Sequence, residues 1–161
     1  MDAFTIVPVV AVVCAGLLAG IYVGYRAGAY HALQKLSPSS FVQFQQVLHR
    51  HYAKFMPPLL LSALLAALVW LVMMRPRWTS PEFWLVVAST CGIVLVAALT
   101  RVVNIPLNNR LMTWNIDAPP GDLREIWTPW DRVNTIRSLV STGVLVLEAA
   151  ALSLTASTGR L

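Results

Sequence analysis

FMPPLLLSALLAALVWLVMM, residues 55–74, runs for twenty residues without a charged side chain. At a helical rise of about 1.5 Å per residue, such a run matches the roughly 30 Å hydrocarbon core of a bilayer. Three further stretches lack Lys and Arg: residues 3–25, 83–100 and 138–159, the last with a single acid, Glu148. Each is long enough to span, and the four together occupy more than half of the 161 residues. Composition agrees, with 57% apolar and 12% charged residues, where soluble domains carry about 25% charged. The pattern predicts an all-α fold, a four-transmembrane-helix bundle forming one integral membrane domain over residues 1–161.

The first run follows only Met1 and Asp2, without the basic stretch that opens a signal peptide, and is read as helix 1. Four spans put Arg26, Lys35, Arg50, Lys54, Arg101, Arg110, Arg124, Arg132 and Arg137 on one side, and only Arg75, Arg77 and Arg160 on the other. The positive-inside rule then places the two long loops in the cytoplasm and both termini outside, with a bacterial inner membrane as the expected setting. The net charge of +5 follows from that orientation. No soluble module offers a basic face, so a nucleic-acid partner is not expected. Cys14 and Cys91 lie inside apolar runs and form no disulfide framework or metal-binding pair.

Ser37-Pro38, Ser80-Pro81 and Thr128-Pro129 each join a capping hydroxyl to a proline suited to the first helical position. Helix 2 is therefore expected from Pro38 to about Met74, long and kinked at Pro57-Pro58, with an amphipathic first half. Helix 3 should end near Ile105-Pro106. Asp122 and Glu125 resemble a capping box for a short cytoplasmic helix before helix 4. Gly16, Gly20, Gly24 and Gly28 form a four-residue repeat on helix 1, expected to face protein either inside the bundle or in a homo-oligomer. His31 continues that face.

Ionisable and amide side chains are costly in hydrocarbon and tend to face the bundle interior. On helix 4, Trp130, Asn134, Arg137, Ser141 and Glu148 fall on one face and predict a polar stripe. Asn104 and Asn108 flank Pro106, where their amides can bond freed backbone groups or a ligand oxygen. On helix 2, His51 shares a side with Phe44, Val47, Leu48 and Phe55, while His49 sits with Gln45, Gln46 and Tyr52. That grouping makes His51 the expected buried histidine.

The segment from Asn104 through Pro106 and Asn108 to Leu111, followed by Trp127-Thr-Pro-Trp130-Asp-Arg-Val-Asn134-Thr-Ile-Arg137, resembles the anthrone oxygenase-like family of small integral membrane proteins. The pattern is N-x-P-x-N, a spacer of some twenty residues, then W-x-x-x-N-x-x-R entering the last apolar helix. The resemblance implies a four-helix membrane protein that oxidises an apolar aromatic, anthrone-like polyketide with O₂. An anthrone has an acidified C–H conjugated to a carbonyl, so its anion can reduce O₂ without a cofactor. Under that reading His31 or His51 is the base, Arg137, Asn134 and Asn108 are oxyanion donors, and Trp127 and Trp130 stack on substrate. Asn104 and Glu148 complete the binding set. Two alternatives stay open: a haem or copper/iron oxidase with His31 and His51 as ligands, and a non-catalytic small-molecule binder or accessory protein.

Overall fold

The computed structural model describes residues 3–157, so residue 159, where the fourth expected span ends, and Arg160 lie outside the described residues. Among those residues every element is helical: α1 (Ala3–Gly24), α2 (Tyr30–Leu33), α3 (Pro38–Met74), α4 (Pro81–Leu99), α5 (Ile105–Leu111) and α6 (Leu123–Ser157). A π turn at Tyr25–Ala29 joins α1 to α2, and a second at Thr100–Asn104 joins α4 to α5. Four helical segments are long and apolar enough to cross a membrane. α6 packs against α1 and α4, and α3 packs against the same two.

Local chemistry starts the helices as the sequence predicts at two of three places. Ser37 accepts from the Ser40 N–H at 3.2 Å, and Ser80 accepts from the Phe83 N–H at 3.3 Å. Thr128 does not cap, because α6 already begins at Leu123 and carries Pro129 inside it. The Thr128 hydroxyl instead donates to Arg124 O at 2.8 Å. The separate short helix expected before helix 4 is thus the opening of α6 itself. Leu123 and Trp127 are both buried, each worth about 1.5–3 kcal/mol, which offsets the roughly 3 kcal/mol that an internal proline costs.

Helix 3 also outlasts its predicted end. The Ile105 N–H bonds Thr100 O, five residues back, and the chain continues as α5 to Leu111. That wider turn relieves the clash between the Pro106 ring and the Val102 carbonyl that a regular α-helix imposes. The helices outrun a bilayer: α6 has 35 residues, about 52 Å at the helical rise, so residues 123–137 project past the apolar stretch. The start of α3 and the end of α5 meet them there, which gives the bundle a basic end.

Three apolar layers fill the bundle. Trp70, Met74 and Val86 form one, Leu18, Ala63, Ile93 and Val144 the middle one, and an aromatic layer with Phe41 and Trp127 lies at the basic end. The buried side of α1 carries Ala11, Ala15, Leu18, Ala19 and Tyr22. The glycine stripe consequently turns away from the bundle, so of its two expected placements the one inside the bundle is overturned. A Cβ on Gly20, Gly24 or Gly28 meets no atom within 4 Å, and only one on Gly16 reaches a neighbour, Leu145 at 3.6 Å. The close helix approach lies elsewhere, at Gly92, where a Cβ falls 2.6 Å from Val144 Cγ2. Gly92→Ala is therefore expected to cost about 1–3 kcal/mol by overpacking the α4–α6 contact. Thermal unfolding in detergent should show the loss and its recovery on adding Val144→Ala, whereas Gly20→Ala, which meets open space, should not lower the melting temperature.

Candidate functional site

The inward face of α6 assembles the polar stripe that its spacing predicts. Asn134, Arg137, Ser141 and Glu148 are all buried, with Arg137 only 5% exposed. The Arg137 fork is fixed from two sides: Nη1 donates to Thr100 Oγ1 at 3.0 Å and Nη2 to Asn134 Oδ1 at 2.7 Å. Its guanidinium lies 4.7 Å from the Tyr22 ring centroid and 5.7 Å from that of Trp130. These aromatic faces and charge-assisted bonds hold the cation. All four partners are neutral. Thr100 spends its own proton on Val96 O at 2.7 Å, so its oxygen is left to accept. Arg137 Nε, Asn134 Nδ2 and Asn104 Oδ1 remain buried without a hydrogen-bond partner.

An aromatic wall closes this cluster toward the basic end. Trp127 and Trp130, three residues apart on α6, stack at 4.9 Å with an interplanar angle of 17°. Tyr25 meets Trp130 edge-on at 5.2 Å, and Phe41 meets Trp127 at 6.1 Å. Trp130 Nε1 donates to Asn108 Oδ1 at 2.8 Å, while Asn104 Nδ2 points at Trp130 O from 3.5 Å. The π turn and α5 thereby bring Asn104 and Asn108 against α6. Six predicted site residues, Asn104, Asn108, Trp127, Trp130, Asn134 and Arg137, gather in one region. Glu148 does not join them, since it lies eleven residues beyond Arg137, about 16 Å along the helix. It is fully enclosed beside Ser89, whose hydroxyl donates to Val86 O at 3.0 Å.

The histidines sit differently from their expected faces. His31 and His51 are exposed, and His49 is the half-buried one. On α3 the inward side carries Phe41, Val42, Gln45 and Gln46, while Phe44, Val47 and Phe55 point outward. The reason is the end of α5. That end and the turn that follows it present carbonyls to α3, and Gln46 Nε2 donates to Leu111 O, the last of the helix, at 3.0 Å and to Trp114 O, three residues on, at 2.9 Å. Seating that amide inside turns His51 out. His31 lies edge-on to Tyr30 at 5.2 Å on the outer side of α2. Among the described residues no three His, Cys, Asp or Glu side chains come together to hold a metal. His31 and His51, both exposed, do not lie where a haem or copper/iron centre buried between the helices needs its ligands.

The sequence reading missed Tyr22, Tyr25, Gln45 and Thr100. Gln45 Nε2 donates to the Tyr25 hydroxyl at 3.1 Å, which ties α3 to the aromatic wall. Tyr22 and Tyr25, three apart in an otherwise apolar run, were a legible signal, because phenols inside a span seek a polar partner. Thr100 carried none, since a threonine at a helix end is commonplace.

A family model described as anthrone oxygenase matches residues 44–147, which include α4, α5, the Trp127–Trp130 stack, Asn134 and Arg137. No curated protein and no solved structure matches the chain. The match extends over more than half of the sequence and takes in most of the site just described, so the chain belongs to the anthrone oxygenase family.

Proposed function

We propose that this protein is a membrane-embedded oxygenase that acts with O₂ on an apolar aromatic ketone of the anthrone kind. The observation that carries the reading is the set of unspent buried donors, Arg137 Nε and Asn134 Nδ2, behind the Trp127–Trp130 wall. Loss of a proton from the ring-bridging methylene of an anthrone moves negative charge onto the carbonyl oxygen across the central ring. Preorganised donors aimed at such an oxygen in a water-poor site lower the barrier to its formation. Arg137 enters with a charge that its neutral partners leave uncompensated, and Asn134 adds a neutral donor. The electron pair then passes to O₂. Overall the methylene loses two hydrogens, one oxygen atom becomes the new carbonyl and the other leaves as water. Tyr25, Trp127 and Trp130 offer flat surfaces suited to a fused aromatic system.

Arg137→Lys keeps the charge but loses the planar fork that Thr100 and Asn134 receive. Its rate of O₂ uptake with anthrone is expected to fall about 10²–10³-fold, with the helical circular dichroism of the wild type retained. Uptake at the wild-type rate in a folded variant removes Arg137 from the reaction. The same reading sets the basic end in the cytoplasm of a bacterial inner membrane, with both termini outside. A cysteine placed beside Arg124 should then resist an impermeant thiol reagent in intact cells and react after lysis. Labelling in intact cells reverses the orientation.

A further inference from the structure

At the basic end, a cleft of about 250 Å³ opens between the first helix and α6, with Arg26, Tyr30, Arg124, Trp127, Asp131 and Arg132 among its lining residues. Three of the charged side chains there each carry a buried polar atom that bonds nothing: Nη1 of Arg26, Nη1 of Arg124 and Oδ1 of Asp131. Each group is nonetheless held. Arg26 lies over the Tyr30 ring at 4.0 Å and Arg124 over Phe41 at 4.3 Å. Arg124 Nη2 is engaged by Leu33 O at 3.1 Å and Leu36 O at 3.0 Å. The nearby hydroxyls cannot relieve Asp131, because Thr128 donates to Arg124 O and Thr135 to Asp131 O. Trp127 belongs both to the cleft and to the stack that reaches Arg137.

A ligand that satisfies these groups must bring an acceptor oxygen for the guanidinium N–H groups and an acidic hydrogen for the carboxylate. A phosphodiester brings acceptors only and sets its charge against Asp131. A plain hydrocarbon satisfies neither. A flat ketone with an acidic C–H presents that hydrogen to Asp131 from one edge and can lie along Trp127, and the O₂ that reacts at the same carbon brings the acceptor oxygen for Arg26 and Arg124. Resting on the oxygenase reading above, we propose that the cleft receives the methylene edge of the aromatic ketone and that Asp131 is the catalytic residue that accepts its proton. The C–H bond breaks, the proton passes to the Asp131 carboxylate, and the electron pair delocalises to the carbonyl oxygen at the opposite edge. Arg26 and Arg124 favour the ionised form of Asp131 that takes the proton, and they place positive charge where reduced oxygen next appears. Asp131 precedes the membrane-length stretch of α6, and burial lifts its carboxyl from the ordinary value to about 6, against the opposing pull of Arg26 and Arg124. A base close to neutrality suits proton abstraction.

The test is hydrogen–deuterium exchange at the anthrone methylene in D₂O without O₂, catalysed by the full chain in detergent and followed by mass spectrometry. Wild type is expected to exceed the detergent blank, and Asp131→Asn to slow exchange by about 10²-fold or more, with Asp131→Glu recovering part of it. Arg26→Gln should also slow exchange, and it serves as the deciding variant if Asp131→Asn does not fold. Exchange at the wild-type rate in folded Asp131→Asn or Arg26→Gln overturns the proposal, as does a wild type that consumes O₂ with anthrone yet exchanges no faster than the blank. If O₂ uptake persists while Asp131→Asn exchanges normally, the cleft assignment fails and the oxygenase reading stands. If exchange depends on Asp131 but no O₂ is consumed, the oxygenase reading fails and the proton acceptor stands.

Discussion

Arg137 cannot shed its charge, yet it is 5% exposed between helices whose outer faces are apolar. An isolated charge taken out of water costs several kcal/mol even after relaxation, so its surroundings are the most constrained part of the molecule. Thr100, Asn134, Tyr22 and Trp130 converge on it from α1, α6 and the turn after α4. Each of those side chains is neutral. The cluster holds the guanidinium in place through neutral groups alone, so none of these four partners cancels its positive charge.

The two π turns make that convergence possible. Tyr30 N–H bonds Tyr25 O and Ile105 N–H bonds Thr100 O, each across five residues. Both turns touch α6. A π turn inserts one extra residue and so rotates everything beyond it relative to the helix before it. In the first helix this turn begins at Tyr25, the residue that meets Trp130. In the third it begins at Thr100, the acceptor for Arg137, and ends at Asn104, so the same bulge that accommodates Pro106 also supplies the site.

α3 shows how a tertiary demand overrides an apolar pattern. Placing Phe44, Val47 and Phe55 inside would satisfy hydrophobicity alone. The buried amides of Gln45 and Gln46 are worth more, because an unpaired buried polar group costs about 1–3 kcal/mol, while apolar side chains near a bilayer lose little by facing outward. Gln46 bonds Leu111 O at the end of α5 and Trp114 O in the loop beyond it, and Gln45 bonds Tyr25. His31 and His51 face outward, the second with the apolar side of α3.

Span number, helix class and the polar stripe of α6 were legible from sequence, because hydrocarbon thickness and the 3.6-residue period act locally and admit one arrangement. Ser37 and Ser80 caps were legible for the same reason. The motif residues Asn104, Asn108, Trp127, Trp130, Asn134 and Arg137 could be named as a group, although Arg137's own partners could not. Which face of α1 turns inward, whether α6 starts at Leu123 or at Pro129, and which groups meet Arg137 were decided only in the tertiary structure. Each depends on a contact between segments far apart in the chain: Tyr22 against Arg137, Trp127 against Phe41, Thr100 against Arg137. A helical period determines that residues share a face, and only the neighbouring helix determines what that face meets.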